Sequence, residues 1–409
     1  MFIFGCLSPG VNHPMLIHID GDAFFASVYQ AMHANARGKP VVIGQERGMA
    51  TALSYEAKKL GVKRGMTISE ARRICPKVII ATSDYRAYQV FSNKVVSYAE
   101  KITPHVERYS IDEVFMDVTG LDTAYDTSYE EIARTLKHTI EKSLGITVSV
   151  GIAETKTLAK IASNALKPAG FLKIDHTNLD HHLRATAIED VWGIGRQLTE
   201  RLKLLGIYTA HDFTQQSEML IRSQFNKMVL ETWLELQGTP IYGLSTGLKE
   251  VYQSIQKTGT VVPGTSDPIL LLSRIFHHIE SAFVKARRYH YRVSKIDIFL
   301  KTQQFTYASA SIKLPASVQF PFLIRGEIRK AFYKVYRPHI LYRATGCTLS
   351  DFKQASDYQQ GLFAGGSKLE DRLAKLYPLY ESRGFRFGSD LYEKPHGKGP
   401  VLFKSMKLS

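Results

Sequence analysis

The stretch "ERYSIDEVFMDVTG", residues 107–120, decides the fold because it sets two adjacent acids, Asp112 and Glu113, into an otherwise apolar segment. The segment 109–118 has the composition of a β-strand. Two unpaired carboxylates about 4 Å apart repel each other by a few kcal/mol, and burial of each adds several more. The nearby sequence offers no obvious cation. The pair therefore needs either a bound cation or a solvated strand end.

A second acidic segment is "IHIDGDAFF", residues 17–25, in which Asp20 ends an apolar strand pattern over 15–20. If this strand lies beside the strand 109–118, then Asp20, Asp112 and Glu113 converge at a strand end, where neighbouring side chains can reach one ion. Clustered carboxylates bind Mg²⁺, which often also binds substrate phosphates. Two such ions promote in-line phosphoryl transfer. From the residues alone, acids at solvated strand ends remain an equal alternative.

Composition limits the class of protein. The chain has 409 residues, of which 44% are hydrophobic and 22% are charged, as expected for a folded protein of two to four domains. No apolar run is long enough to cross a membrane, and the first 14 residues lack a secretory signal pattern. The three cysteines are far apart and have no metal-binding spacing. This pattern is typical of a reducing cytosol and predicts a cytoplasmic protein.

Positive charge is concentrated in one part of the chain. The net charge is +15, and residues 250–350 contain 15 Lys/Arg against 5 Asp/Glu, a local balance of +10. A basic module of this kind is typical of proteins that bind a polyanion. The alternative is a solvated basic face without a ligand.

Periodicity divides the chain into three parts. Strand and helix patterns alternate over residues 15–168 without a doubly wound nucleotide fingerprint, which predicts an α+β domain with a mixed or antiparallel sheet. Residues 174–245 are predicted to be mainly helical, and "IEDVWGIGRQLTERLKLLGI" reads as a helix, a Gly-x-Gly turn and a second helix. From about residue 250, four strand patterns and two helical stretches, 268–287 and 321–334, predict a second α+β module.

Five motifs in this order carry a family resemblance: "IDGDAFFASV", "ATALSYEAKKLGV", "ERYSIDEVFMDVTG", "VSVGIAETKTLAKIASNALKP" and "DVWGIGRQLTERL". Together they resemble the Y-family translesion DNA polymerases, in particular the bacterial branches of DNA polymerase IV and of the catalytic subunit of DNA polymerase V. The resemblance spans about residues 15–365. Each motif alone is weak, and the specificity comes from the combination.

The resemblance implies a right-hand polymerase of the multidomain α+β class. Its parts would be an N-terminal extension (1–14), a catalytic palm (15–25 and 84–173), small fingers (26–83), a helical thumb with a helix-hairpin-helix (174–245), a DNA-binding little finger (250–352) and a C-terminal tail (353–409). The implied activity is template-directed, low-fidelity DNA synthesis past damaged bases without proofreading. That activity belongs to DNA repair and the DNA-damage (SOS) response.

The resemblance also assigns roles at the metal site. Asp20 and Asp112 match Mg²⁺-binding aspartates, and Glu113 matches the catalytic glutamate, which is also a metal ligand. The main-chain carbonyl of Gly21 matches a further ligand. Two Mg²⁺ ions would assist attack of the primer 3′-oxygen on the α-phosphate of a deoxynucleoside triphosphate.

Nucleotide-binding roles follow from the same resemblance. Phe24 and Phe25 would contact the nucleotide, with Phe25 as the steric gate that leaves no room for a 2′-hydroxyl. Tyr55 and Lys58 match fingers residues that hold the triphosphate, although many relatives carry Arg at the position of Lys58, which changes the phosphate geometry. Lys160 matches a palm lysine that reaches the phosphates. Without the resemblance, the two aromatics read as core and Lys160 as a solvated lysine.

Macromolecular partners are implied as well. The Gly193–Gly195 turn would point backbone N–H groups at a phosphate of primer–template DNA, and the basic module would hold the duplex. The segment "QQGLF", 359–363, fits the pattern by which bacterial polymerases dock on the sliding clamp, through Gln359, Leu362 and Phe363. The alternatives are a tight helix connection for the turn and an ordinary connector for the tail.

Two other functional interpretations remain. The first is a polymerase V-type catalytic subunit that depends on accessory mutagenesis proteins, favoured by "VWGIG", "TKTLAKIA" and Lys58. The second is a non-catalytic DNA-binding scaffold that uses the turn and the basic module, against which the three intact acids argue. A palm-type nucleotide cyclase would need neither the turn nor the basic module.

Overall fold

The computed structural model describes residues 14–45, 48–245 and 252–355, which belong to two compact units, Met1–Gly247 and Leu248–Ser409. Most of the predicted N-terminal extension and C-terminal tail, including the clamp motif, lies outside the described residues. In the part of the chain that the structure describes, no helix combines the length and apolar character needed to cross a membrane.

The strands, in chain order, are β1 (Leu16–Gly21), β2 (Val41–Ile43), β3 (Ala52–Leu53), β4 (Ile79–Ala81), β5 (Val106–Arg108), β6 (Glu113–Asp117), β7 (Val148–Ala153), β8 (Phe171–Lys173), β9 (Ser254–Thr265), β10 (Tyr291–Thr302), β11 (Tyr307–Val318) and β12 (Tyr342–Gln354).

The α-helices are α1 (Phe24–Met32), α2 (Tyr55–Lys59), α3 (Ile68–Ile74), α4 (Tyr85–Ala99), α5 (Leu121–Tyr125), α6 (Tyr129–Leu144), α7 (Lys156–Ala165), α8 (Leu179–Ala185), α9 (Arg196–Leu204), α10 (Ala210–Thr214), α11 (Glu218–Gln224), α12 (Lys227–Leu236), α13 (Pro268–Arg288) and α14 (Arg325–Val335). Short 3-10 helices occur at Ala34–Ala36, Ile188–Asp190 and Pro321–Ile324.

A five-stranded sheet of order β5-β6-β1-β7-β8 forms the centre of the first unit. The pairs β5–β6, β6–β1 and β1–β7 are antiparallel, whereas β7–β8 is parallel, so the sheet is mixed as predicted. Strand β1 lies in the middle and is buried along its whole length. Charged groups on β1 are therefore inside the protein, where they need partners.

The two faces of this sheet are covered by different helices. Ile17 and Ile19 pack into a core with residues of α4 and α6, including Tyr88 and Leu136. On the opposite face, Phe115 of β6 packs with residues of α7 and of the helical segment α8–α12. Side chains on a strand alternate between faces. His18 and Asp20 therefore share the α7 face of the sheet.

Local signals explain where the flanking helices begin and end. The Ser128 side chain caps α6 by accepting from the N–H of Glu131, and Gly145 ends this helix with a φ of 65°. The Thr155 side chain caps α7 by accepting from the N–H of Leu158. The helices predicted over 128–145 and 155–168 are thus confirmed, with ends that differ by a few residues.

A small three-stranded sheet of order β3-β2-β4 lies between α1 and α4 in the chain and packs with α2 and α3 around a core of its own. Its strands have two or three residues each. The segment "GKPVVIG", residues 38–44, predicts a strand, and β2 lies within it, whereas β3 and β4 are too short for a sequence pattern to reveal.

The second unit contains an antiparallel sheet of order β11-β10-β12-β9. Helices α13 and α14 pack on one face of it, against Ile296, Ile298 and Leu300 of β10. The strands and helices predicted from residue 250 onward are all present. The predicted α+β class is confirmed in both units.

Candidate active site

The end of β1 and the beginning of β6 meet at one edge of the central sheet. Asp20 is the Cα partner of Glu113 in the antiparallel β1–β6 pair. The N–H of Gly21 donates to the carbonyl oxygen of Asp112 at 2.9 Å. The two acidic segments of the sequence are therefore neighbours in space. We call Asp20, Asp112 and Glu113 the acid edge.

A turn precedes β6 and explains the adjacent acids. The strand predicted over 109–118 is wrong for its first four residues, because β6 begins only at Glu113. Ser110 organises this turn: its hydroxyl donates to Oδ1 of Asp112 at 2.6 Å and accepts from the N–H of Glu113 at 3.1 Å. Asp112 lies in the turn and Glu113 begins the strand. Because only Glu113 belongs to the strand, both acids can lie at the same edge of the sheet, whereas two consecutive strand residues would point to opposite faces.

Three potential metal ligands lie close together beside this turn. Ligand atoms of His18, Asp20 and Glu113 are all within 4.8 Å of one another. Asp112 belongs to the same electrostatic neighbourhood, since its carboxylate raises the pKa of Asp20. The structure therefore brings the predicted acids together and adds His18, which the sequence analysis did not single out.

Burial controls the protonation of Asp20. The residue is 7% exposed, and desolvation raises the pKa of its carboxyl from 3.8 to about 6. Lys167 opposes the shift, whereas the carboxylates of Glu113 and Asp112 add to it. A concentration of negative charge at a buried edge is unfavourable unless a cation neutralises it.

Two lysines supply positive charge at the acid edge. Nζ of Lys167 lies 2.6 Å from Oδ2 of Asp20, and Nζ of Lys160 lies 2.6 Å from Oε1 of Glu113. Lys160 is on α7, which covers this face of the sheet, and Lys167 lies two residues beyond the end of this helix at Ala165. The sequence analysis named Lys160 but missed Lys167. No local signal marks Lys167, because it lies beyond the end of α7 and directly before Pro168.

Other buried acids of the first unit have different partners. The Asp22 carboxylate accepts from the Ser149 hydroxyl at 2.8 Å and from the N–H of Ala169 at 2.7 Å. The Glu235 carboxylate accepts from backbone N–H groups, including those of Thr157 and Ile241. Such fixed donors cannot leave, so these acids hold the fold together. Asp20 and Glu113 are paired with lysine side chains, which can move away and leave room for another cation.

His18 is a buried, neutral neighbour of the acid edge. Burial lowers the pKa of His18 well below its usual value, and Lys160 acts in the same direction. Nδ1 lies 2.7 Å from the Ser163 hydroxyl, which itself donates to the carbonyl oxygen of Lys160 at 2.9 Å. Nδ1 therefore carries the proton. The lone pair of Nε2 lies toward Glu113, 3.8 Å from Oε1.

The two adjacent phenylalanines have different environments. Phe24 is buried in the core, and a Cβ atom on Gly21 would lie 2.7 Å from its ring, so only glycine fits beside it. Phe25 is half-buried and packs against the Tyr88 ring, with centroids 4.4 Å apart. Phe25 is thus the member of the pair that keeps partial exposure to solvent.

Tyr55 and Lys58 lie on α2, and the carboxylates of Asp20 and Asp22 shift the pKa of both residues. Nζ of Lys58 is 4.4 Å from the centre of the Tyr55 ring. Burial raises the pKa of Tyr55 to about 12, and the carboxylates of Asp22 and Asp20 add to the shift. Burial lowers the pKa of Lys58, with Lys167 acting in the same direction. These mutual effects place α2 beside the acid edge.

The Gly-x-Gly turn precedes α9. Gly193 has a φ of 88°, which a residue with a side chain rarely adopts, and Gly195 is the N-cap of α9 without a side-chain cap. A Cβ atom on Gly195 would meet no atom within 4 Å. The helix predicted before this turn is wrong, because residues 188–190 form only a 3-10 turn after α8. The N-terminal N–H groups of α9 are thus accessible to a ligand.

The sheet of the second unit has a polar face opposite α13 and α14. Residues on this face pair across strands, such as Lys295 with Lys313 and Asp297 with Ser311. They alternate with the buried Ile296, Ile298 and Leu300. We call this surface the open sheet face; its members are Lys295, Asp297, Phe299, Lys301, Tyr307, Ser309, Ser311, Lys313 and Thr348.

Family models and curated relatives match most of the chain. The impB/mucB/samB family matches residues 19–164, and the impB/mucB/samB family C-terminal domain matches residues 252–362. Protein UmuC of Salmonella typhimurium is 32% identical over 378 residues, covering 87% of this chain and 89% of that protein. A DNA polymerase IV of Desulfatibacillum aliphaticivorans is 31% identical over 396 residues, covering 93% and 96%.

Solved structures show the same fold. A Y-family DNA polymerase chimera superposes with a TM-score of 0.68 at 26% identity, over 83% of this chain and 99% of that one. An insertion ternary complex of Dbh DNA polymerase superposes with a TM-score of 0.54 at 25% identity, also over 83% and 99%. These matches confirm the predicted right-hand polymerase class. The chain belongs to the impB/mucB/samB family and is a Y-family translesion DNA polymerase, an enzyme of DNA-directed DNA synthesis.

Proposed function

We propose that the acid edge holds two Mg²⁺ ions and is the catalytic centre of this polymerase. The observation that carries the proposal is that lysine ammonium groups pair with the clustered acids Asp20 and Glu113, whereas Asp22 and Glu235 accept from backbone N–H groups. Carboxylate oxygens are the ligands that Mg²⁺ prefers. The carbonyl of Gly21 would add a main-chain oxygen. When bound, the ions would supply Lewis-acid stabilisation of the attacking and leaving oxygens.

The direct test is primer extension by the purified full chain. We expect extension in Mg²⁺ on intact templates and past an abasic site, and none in a chelator. Glu113→Gln keeps the shape of the side chain and should abolish extension without lowering the melting temperature. Extension that survives this substitution would remove the acid edge from the mechanism.

The two lysines have a second role in this proposal. A cation that binds Asp20 and Glu113 must displace Lys167 and Lys160 from these carboxylates. The displaced ammonium groups remain beside the acid edge, where the triphosphate is the anion to be bound. Lys160 therefore keeps the role that the sequence predicts for it, and Lys167 joins it. Tyr55 and Lys58 of α2 would hold the phosphates from the fingers side, as hydrogen-bond donor and point charge.

Phe25 is the proposed steric gate. Phe25 lies at the start of α1, five residues after Asp20, and its ring packs against Tyr88 of α4. Phe24 is buried and packs against Gly21, so its ring is not available to the sugar. A rigid aromatic wall beside the sugar would exclude a 2′-hydroxyl by volume alone; Phe25 would form this wall, and Phe24 would support it through packing, with ring centroids 6.0 Å apart.

Primer–template DNA is proposed to bind at two places. The N–H groups at the Gly193–Gly195 turn and the start of α9 suit a backbone phosphate, which they would position without reading sequence. The open sheet face offers lysines and hydroxyl groups, which also suit phosphate contacts. The Dbh structure with similar architecture is titled an insertion ternary complex, which supports binding of DNA and nucleotide by this fold.

Other parts of the proposal concern the cellular setting. A sliding clamp would bind the segment Gln359–Phe363, which lies outside the described residues. Deletion of 359–363 should leave synthesis on bare template unchanged and reduce stimulation by the clamp. An SOS-type damage response in the cytoplasm remains the expected setting, in agreement with two free, buried cysteines, Cys75 and Cys347.

A second candidate is a polymerase V-type subunit that needs accessory mutagenesis proteins. The 32% identity to UmuC over most of both chains favours it. The purified chain separates the two candidates: extension by the chain alone indicates an independent enzyme, whereas extension only after addition of accessory proteins indicates the subunit.

A further inference from the structure

Lys160 has aromatic as well as acidic neighbours. Its Nζ lies 2.6 Å from Oε1 of Glu113, 4.9 Å from the centre of the Tyr109 ring and 5.5 Å from the centre of the Trp192 ring. Both ring distances are within the range of a cation–π interaction, about 6 Å. We propose that Tyr109 and Trp192 are positioning residues that hold the Lys160 ammonium beside the catalytic carboxylate.

The two rings form a rigid pair. They meet edge to face, with centroids 5.2 Å apart and an interplanar angle of 86°. Nε1 of Trp192 donates to the Tyr109 hydroxyl at 3.1 Å. Phe115, two residues after Glu113, supports both rings, at 5.8 Å from Tyr109 and 6.1 Å from Trp192. The aromatic pair is thus fixed to the same strand as the carboxylate.

The two tryptophans of the chain show that this arrangement is not ordinary core packing. Trp233 is buried among apolar side chains, and its Nε1 donates to the carbonyl oxygen of Phe213 at 3.1 Å. Trp192 is half-buried, and Tyr109 is 41% exposed. Partly exposed rings that face an ammonium group within about 6 Å are in the geometry of a cation–π pair, which is weak at exposed sites and stronger where water is excluded.

The role of the pair rests on the proposed function of Lys160. In that proposal, the Lys160 ammonium pairs with Glu113 in the absence of metal and would bind the triphosphate during the reaction. The attraction of the rings is independent of both anions, so it would retain the Lys160 ammonium if Glu113 held a metal ion. Trp192 precedes the Gly193 turn, and Tyr109 precedes the turn of Asp112. The helical segment thereby contributes directly to the acid edge.

A double-mutant cycle tests this inference. Trp192→Leu removes the ring and should lower kcat/KM about 3- to 30-fold, mainly by raising KM for the nucleotide. Trp192→Phe retains a ring face and should stay within about threefold of the wild type. In a Lys160→Met background, Trp192→Leu should have no further effect. Trp233→Phe is the matched control and should act independently of Lys160→Met.

The outcomes distinguish a failure of the aromatic positioning by Tyr109 and Trp192 from a failure of the proposed role of Lys160. If Lys160→Met itself has no effect, the proposed role of Lys160 is wrong. If Lys160→Met is impaired but Trp192→Leu lowers activity equally in both backgrounds, the aromatic pair does not act through Lys160. A loss in Trp192→Phe as large as in Trp192→Leu would also overturn the inference. Melting temperatures identify any variant that fails to fold.

Fluorescence gives a readout that does not depend on turnover. In a Trp233→Phe protein, Trp192 is the single tryptophan, and displacement of the Lys160 ammonium should change its emission on titration with Mg²⁺ alone. Lys160→Met in that protein should abolish the change. A response that persists in Lys160→Met would contradict the inference, whereas an emission that does not respond to Mg²⁺ in either protein would contradict the proposed metal site.

Discussion

The acid edge of the first unit and the open sheet face of the second carry opposite charges and expose them differently. Asp20 is 7% exposed, lies on a fully buried strand and has a pKa of about 6. Lys313 is exposed, and Lys295 and Lys301 are half-buried on the surface of a sheet. One region concentrates charge where water is scarce, and the other spreads charge where water and salt are abundant.

The difference in burial of these charges determines what each region can do. Buried charges interact strongly, shift each other's pKa and require a partner at a defined position. Exposed charges interact weakly and are screened by salt, so many small contacts add up. The acid edge is therefore suited to chemistry at one point, and the open sheet face to sequence-independent binding along a backbone. Changes at the two places should have separable consequences.

The largest expected effect comes from Asp20→Asn. Loss of a metal ligand removes several kcal/mol of stabilisation, so primer extension should fall at least about 1,000-fold. DNA affinity should change by less than about threefold, because the proposed duplex contacts at the Gly193–Gly195 turn and the open sheet face are unaltered. Extension rates and filter-binding isotherms measure the two effects. An equal loss of both would show that chemistry and binding are not separated.

Stability provides the control for that substitution. Because folding raises the pKa of Asp20 above its ordinary value, the ionised form destabilises the protein at pH 7, and this cost disappears as the pH falls through about 6 toward 3.8. Asp20→Asn should therefore keep or raise the melting temperature. Asp22→Asn disturbs the acceptor of the Ser149 hydroxyl and the Ala169 N–H and should lower it. The reverse order would mean that Asp20 is the structural acid.

The next effect concerns the open sheet face. Replacement of Lys295, Lys301 and Lys313 by Ala should weaken DNA binding about 10- to 100-fold at low salt and lower the slope of log Kd against log salt by about 3. The rate at saturating DNA should be unchanged. Binding isotherms at several salt concentrations measure the slope.

The matched control removes the same charge from the opposite side of the second unit. Arg329, Lys330 and Lys334 lie exposed on α14. Their replacement by Ala should leave the slope nearly unchanged. If both triple variants lose affinity equally, net charge rather than the open sheet face governs binding.

Sugar selection should respond to Phe25→Ala. Removal of the ring opens the space beside the sugar, so discrimination against ribonucleotides should fall about 10- to 100-fold. Single-nucleotide incorporation of matched ribo- and deoxynucleotides measures it. Phe24→Leu is the control: it should lower stability through lost packing and leave sugar discrimination intact. The opposite result would exchange the roles of the two rings.

The smallest expected effect is a pH dependence of metal binding at the acid edge. A protonated Asp20 cannot bind a cation, so Mn²⁺ affinity, measured by electron paramagnetic resonance, should fall up to about tenfold from pH 6 to pH 5 and level off above pH 7. The affinity of Asp20→Asn should be weaker and flat over this range. An inflection near pH 4 would indicate that burial does not control Asp20.

Long, regular patterns were predictable from the sequence. Helix α6 has a Ser cap, an amphipathic body and a terminal glycine, and its bounds agree closely with the prediction. The three-residue strands β4, β5 and β8 were missed, because they are too short to show alternation and exist through pairing with a neighbour. The helix predicted before Gly193 failed for a related reason, since one turn of apolar spacing fits a 3-10 turn equally well.

At the acid edge, the sequence identified the carboxylates but not the groups around them. Asp20 and Glu113 stood out because acids are unusual beside apolar strands. Ser110 and Lys167 carry no such signal: a serine before a strand and a lysine before a proline are common on protein surfaces. Trp192 attracted notice only as part of the turn, although it contacts Lys160 from a distant part of the chain.

The amino-acid sequence alone indicated that two apolar strand patterns carry acids, that a basic α+β module follows a helical segment, and that the combined motifs resemble one polymerase family. These features depend on residue type and local spacing, which a linear chain displays in full. Only the tertiary structure decided which cation meets which acid and which aspartate of "DGD" supports the fold. Those choices depend on how α7 crosses the central sheet, and long-range packing leaves no mark on local sequence.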